Sequence, residues 1–120
     1  MSELVGLRVL VAEDEGPIAL MIEDMLQDLG CEIAASVARL GDAREIAATE
    51  NLDLAVLDVN LGGHAVFPVA EILRERQIPF VFSTGYGASG LPHEFSAYPV
   101  LGKPFSMRQL QQKISLALKR

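Results

Sequence analysis

Five short apolar runs divide the 120-residue chain. They are Leu7 to Ala12, Cys31 to Ser36, Leu54 to Asn60, Pro79 to Ser83 and Tyr98 to Leu101. A brief, continuous apolar run bounded by turn residues reads as a strand buried on both faces. Between the runs the apolar positions recur at helical spacing. Ile18, Met21, Ile22, Met25, Leu26 and Leu29 fall on one face, after Gly16-Pro17 and before Gly30, a helix start and a helix stop. A second, weaker helical pattern covers about 39–50 and a third about 66–76, where Pro68 is tolerable only in the first turn. The last helix carries Met107, Leu110, Ile114 and Ala117 or Leu118, and Ser106 with Gln109 three residues on fits a capping box. One interval breaks the rhythm. Gly85-Tyr86-Gly87-Ala88-Ser89-Gly90-Leu91-Pro92 holds three Gly and a Pro where a fourth helix belongs, so that helix is expected to be short, frayed or absent.

Strand and helix therefore alternate five times. That pattern predicts a doubly wound α/β sandwich around a five-stranded parallel sheet. Composition changes this picture little. Half the residues are hydrophobic and 22% are charged, which suits one folded domain and excludes a disordered chain. The net charge of −6 argues against a nucleic-acid surface and against an anionic membrane. No apolar run approaches the length of a membrane span, and Met1-Ser2-Glu3 lacks the start of a secretion signal. The single cysteine, Cys31, permits no internal disulfide, fits a reducing cytoplasm and reads as a packing residue.

The chemistry lies at the carboxyl ends of the strands. The first run ends at Glu13-Asp14, the third at Asp58, the fourth at Thr84 and the fifth near Lys103. In open α/β sheets ligands bind outside these ends, so the topology gathers the five residues in one crevice. Taken singly, each has a plain structural reading: Asp58 as a cap, Glu13-Asp14 as a solvated turn, Thr84 as a turn residue, Lys103 as a surface charge. Taken together, three carboxylates repel one another and need compensation. A hard divalent ion such as Mg²⁺ takes such oxygen ligands. With Lys103 it balances three acids and leaves the site ready for one more anion. Thr84 and Lys103 suit phosphoryl oxygens, and Asp58 suits a carboxylate nucleophile. His64 and His93 have no ligand partners at metal spacing and read as exposed loop residues.

At this point the chain resembles the receiver domains of two-component response regulators over its whole length. The resemblance rests on Glu13-Asp14, Asp58, Thr84 and Lys103-Pro104. It implies a flavodoxin-like (CheY-like) fold with strand order 2-1-3-4-5 and, with no output domain following, a single receiver over residues 1–120. It implies that Asp58 accepts a phosphoryl group from a histidine kinase or phosphotransfer protein. It implies Mg²⁺ on Asp14, Asp58 and the backbone carbonyl of Asn60, with Glu13 acting mainly through water. It further implies a cis Lys103-Pro104 peptide, a regulatory rather than enzymatic role, an unidentified downstream protein, and a monomer or weak dimer.

Two departures matter. Glu13 replaces the commoner Asp and keeps the charge. Val100 stands where receivers usually carry a switching Tyr or Phe, and Tyr98 lies on the same face one step earlier. The stretch Pro79-Phe80-Val81-Phe82-Ser83-Thr84-Gly85-Tyr86, with Asp58-Val59-Asn60-Leu61-Gly62-Gly63, resembles the "FAT GUY" subgroup of often stand-alone receivers, which lacks the aromatic switch, has a poorly formed fourth helix and is commonly paired with kinases of the HWE and related families. The switch region is then expected at Gly85, Tyr86 and Val100. Competing readings are a phosphate sink, a protein-binding pseudo-receiver, and a phosphatase of the haloacid dehalogenase type. The last needs a second Asp two residues after the nucleophile, where this chain has Asn60.

Overall fold

Strands form where the sequence is apolar without interruption, and helices where it is apolar on one side. The computed structural model describes residues 3–85 and 91–119. In chain order the elements are β1 (Arg8–Ala12), α1 (Gly16–Asp28), β2 (Glu32–Val37), α2 (Leu40–Thr49), β3 (Leu54–Asp58), β4 (Asn60–Leu61), β5 (His64–Ala65), α3 (Phe67–Glu75), β6 (Phe80–Thr84), β7 (Val100–Gly102) and α4 (Met107–Leu118). The main sheet runs β2-β1-β3-β6-β7, with every neighbouring pair parallel. Setting the small β4–β5 pair aside, that is the expected order 2-1-3-4-5. β3 is the central strand and is buried along its whole length.

Alternation along the strands builds two cores. Val9, Val11, Leu54, Val56, Val81 and Leu101 face α1 and α4. Leu10, Ala12, Ala55, Leu57, Phe80 and Phe82 face α2 and α3. The helix signals in the sequence act as expected. Pro17 and Pro68 each sit in the first turn of their helix, where a missing N–H costs nothing. Ser106 Oγ accepts the Gln109 N–H at 3.1 Å while Gln109 Oε1 accepts the Ser106 N–H at 2.8 Å, which completes the capping box. Cys31 is buried and His64 and His93 are exposed.

Two segments differ from the sequence reading. Gly62-Gly63, which reads from sequence as a flexible break after the third strand, is the two-residue turn of a hairpin. Asn60 and Leu61 pair antiparallel with Ala65 and His64, and φ is 57° at Gly62 and 91° at Gly63. A type I′ turn requires positive φ at both central residues, which glycine adopts freely. The last strand starts at Val100 rather than Tyr98. Pro99 has no N–H to give the ladder, although its carbonyl accepts the Phe82 N–H at 3.0 Å.

Between β6 and β7 the described residues form one 3-10 turn, His93–Phe95, and no α-helix. Tyr86, assigned to the switch region from sequence, lies outside the described residues. The downstream end of the segment is firmly held. Phe95 is fully buried, stacks on Phe67 with centroids 5.6 Å apart, and meets Phe82 edge-on at 5.8 Å. The Arg74 guanidinium lies 4.8 Å from the centre of the Phe95 ring. Tyr98 lies flat on Phe80 at 4.4 Å. This ring cluster joins α3, the 3-10 turn, β6 and Tyr98 just before β7. Phe95→Ala is expected to lower stability by about 3–5 kcal/mol in urea denaturation. A loss below about 1 kcal/mol would show that the rings do not anchor the segment.

Candidate functional site

Strand register decides which side chains meet at the carboxyl rim. Ala12 pairs with Leu57, and Asp58 pairs with Ser83. One step beyond Ala12, Glu13 therefore comes abreast of Asp58. Both lie on the α1/α4 side, two residues after Val11 and Val56. Lys103 follows Leu101 by two residues on the same side. Its N–H donates to the Thr84 carbonyl at 2.9 Å, which extends the β6–β7 ladder by one bond. The Lys103–Pro104 peptide is cis.

The Lys103 ammonium reaches both buried acids. Nζ lies 2.7 Å from Glu13 Oε1 and 3.0 Å from Asp58 Oδ2. The contact with Asp58 is a hydrogen bond, whereas the one with Glu13 Oε1 is an ion pair without hydrogen-bond geometry. Glu13 and Asp58 are 3% and 7% exposed. Backbone donors hold the other oxygens: the Glu15 N–H lies 3.1 Å from Glu13 Oε2, and the Asn60 N–H lies 3.1 Å from Asp58 Oδ1. Asp14 turns outward, and its Oδ2 accepts the Gly62 N–H at 3.0 Å. Asn60 Oδ1 in turn accepts the Gly63 N–H at 2.7 Å. The hairpin turn thus fastens the loop after β3 to the loop after β1.

These contacts account for the proton affinities. Burial pushes the Glu13 carboxyl up to about 7, helped by the neighbouring Asp58, against the pull of Lys103 and the Glu15 N–H. Burial also works against the charged Lys103, but its bonds to Glu13 and Asp58 outweigh it and hold the ammonium above the ordinary lysine range. The two directions agree. Lys103 has two acids to itself, whereas Glu13 shares one ammonium with a second acid. For Asp14 burial pushes upward, but the Gly62 N–H and the other hydrogen bonds together outweigh it and bring the carboxyl below its usual value.

Glu13, Asp14 and Asp58 each offer an oxygen within 4.8 Å of the others, a spacing that suits one hard cation. Asp14, Asp58, Asn60, Thr84 and Lys103 line an open cleft of about 530 Å³, with Gly85 at its edge. Thr84 belongs to the opposite strand face, two residues after Phe82, and is 4% exposed. Val100 and Tyr98 pack away from the cleft against the α2/α3 core.

A family model described as the response regulator receiver domain matches residues 9–115. The chain belongs to the response regulator receiver family. It is 32% identical over 117 residues to the transcriptional regulatory protein PdtaR of Mycobacterium tuberculosis, covering 94% of this chain and 57% of that protein. The chain spans about half the length of the curated relatives it matches. The solution structure of SdrG from Sphingomonas melonis Fr1 superposes with a TM-score of 0.86 at 39% identity, covering all of both chains. The receiver domain of PhyR from Erythrobacter litoralis gives 0.79 at 29% identity, covering 98% of this chain and 94% of that one. A receiver is the regulatory domain of a two-component system rather than a conventional enzyme, and receivers partner with histidine kinases or phosphotransfer proteins. Among the described residues no helix is long and apolar enough to cross a membrane.

All five residues read from strand ends meet at this rim. One participant was missed. It is the Gly62 N–H, although a Gly-Gly pair between short extended stretches is itself a hairpin signal.

Two consequences follow for the metal-free receiver. Asp58→Asn removes one of two like charges that share Lys103. It should raise stability by on the order of 1 kcal/mol, roughly 4 °C in melting temperature; a fall would contradict the repulsion. Glu13 stays protonated to a higher pH when folded than when unfolded, so the folded chain holds the extra proton between its ordinary value and about 7. Stability should therefore fall as pH rises through that window, with a higher melting temperature near about pH 5 than near about pH 8. Glu13→Gln should flatten this slope, and an unchanged slope would assign it elsewhere.

Proposed function

We propose that Asp58 accepts a phosphoryl group from the phosphohistidine of a kinase or phosphotransfer protein, with Mg²⁺ held beside it. The observation that carries this is the placement of Asp58. It ends a fully buried strand, opens onto the cleft, and is held by Lys103 on one oxygen and the Asn60 N–H on the other. The nucleophile is thereby fixed in orientation before a donor arrives. A carboxylate oxygen of Asp58 bonds to phosphorus while the P–N bond breaks and its electron pair returns to the imidazole. Lys103, already at the carboxylate, follows the charge onto the phosphoryl oxygens, and the Thr84 hydroxyl is the neutral donor across the cleft.

Asp14, Asp58 and the Asn60 carbonyl would hold the cation, with Glu13 acting through water because its own oxygens are engaged by Lys103 and the Glu15 N–H. When bound, Mg²⁺ offsets the repulsion of the acids and the incoming phosphoryl charge. Asn60 is neutral and its side-chain oxygen is tied to Gly63, which disfavours phosphatase chemistry that needs an acid at that position.

The finer reading is a receiver of the FAT GUY subgroup, over residues 1–120, served by a kinase of the HWE or a related family. Val100 in the aromatic position and the absence of an α-helix between β6 and β7 among the described residues support it. So does Tyr98, which is stacked on Phe80 rather than poised beside Thr84. The switch would then run through Thr84 and Gly85 toward a downstream protein. Incubation with a radiolabelled small phosphodonor or phosphohistidine partner should give Mg²⁺-dependent, acid-stable and alkali-labile label. Asp58→Asn should abolish it, and Lys103→Ala should slow it by at least about tenfold. Equal labelling of wild type and Asp58→Asn would refute the assignment.

A further inference from the structure

Ser83 is the last residue of β6 on the strand face that carries Glu13, Asp58 and Lys103. It is fully buried, and its Oγ has no hydrogen-bond partner among the described residues. Register makes it the immediate neighbour of Asp58: the two are paired across β3 and β6, and the Val59 N–H donates to the Ser83 carbonyl at 3.0 Å. On its other side Ser83 pairs with Leu101, two residues before Lys103. To bring Nζ to Asp58 Oδ2, the Lys103 side chain therefore crosses β6, where Ser83 offers only a short side chain. A buried hydroxyl with no protein partner is uncommon in native structures and calls for an explanation.

We propose that Ser83 Oγ–H is a reserve donor to Asp58, engaged when phosphorylation draws Lys103 away. The inference rests on Asp58 being the phosphoryl acceptor. In the free receiver Lys103 serves the Asp58 oxygen on this side. Once phosphorus is attached, negative charge moves from the carboxyl to the phosphoryl oxygens and the ammonium follows it. The vacated oxygen then lies beside Ser83, whose hydroxyl has no hydrogen-bond partner among the described residues. During hydrolysis water oxygen bonds to phosphorus, the P–O bond to Asp58 breaks, its electron pair returns to the carboxylate, and the water proton leaves with phosphate or solvent. A donor on that carboxyl stabilises the returning charge, so Ser83 shortens the life of the aspartyl phosphate.

The test uses the full chain as wild type, Ser83→Ala and Ser83→Cys, each loaded from acetyl phosphate with Mg²⁺. Ser83→Ala should label normally, melt no lower than wild type, and lose its phosphoryl group about three- to tenfold more slowly, the worth of one ordinary hydrogen bond. Its acyl carbonyl stretch, read by difference infrared spectroscopy, should move to higher frequency as the donor is lost. Ser83→Cys, similar in volume and a weak donor, should fall between and serves if the alanine variant does not fold. Variants that label yet match wild type in half-life and carbonyl frequency overturn this role and leave Asp58 as acceptor. A wild-type chain that takes no label overturns the acceptor reading and this role with it.

Discussion

One ammonium between two buried acids holds the functional end of this receiver together. Lys103 meets Glu13 and Asp58 where the sheet ends, at 2.7 and 3.0 Å, with both carboxylates almost wholly removed from water. Removing the ammonium from such a cluster would leave two carboxylates uncompensated in a poorly solvated place. The cluster is also unbalanced, because Asp14 adds a third acid nearby and the ammonium is single. That imbalance is the property a cation and a phosphoryl group would exploit.

The rest of the fold exists to keep those groups from separating. Parallel pairing sets Glu13, Asp58 and Ser83 abreast on three adjacent strands. A further ladder bond from Lys103 to Thr84 fixes where the lysine side chain starts. Two dissimilar cores lock the register from either side, since a slip of one residue would turn every strand side chain to the wrong face. On the α2/α3 side the rings of Phe67, Phe80, Phe82 and Phe95 pack together and tie the 3-10 turn to α3 and β6. Tyr98 belongs to that packing. An aromatic residue pressed flat against Phe80 is a poor candidate for a swinging switch.

Much of this was readable from the residues in order. Uninterrupted apolar runs marked the strands, proline and capping signals marked the helix starts, and strand ends marked Glu13, Asp14, Asp58, Thr84 and Lys103. What the pattern could not carry was contact between groups distant in sequence. The choice of Lys103 to pair with Glu13 as well as Asp58 depends on side-chain reach across β6. The Asp14–Gly62 bond depends on a tight turn whose two glycines also fit a loose loop. Ser83 looked unremarkable because serine beside threonine is common at a strand end. Only register and burial reveal a hydroxyl sealed in next to the Asp58 carboxylate.

The most direct test of the acid rim as a cation site is a magnesium titration followed by amide and lysine side-chain NMR. Saturable shifts should be confined to Asp14, Asp58, Asn60, Gly62 and the Lys103 ammonium, and they should vanish in Asp14→Asn. An unchanged spectrum at millimolar magnesium, or shifts scattered over surface acids and indifferent to Asp14→Asn, would mean that the three carboxylates do not form one site.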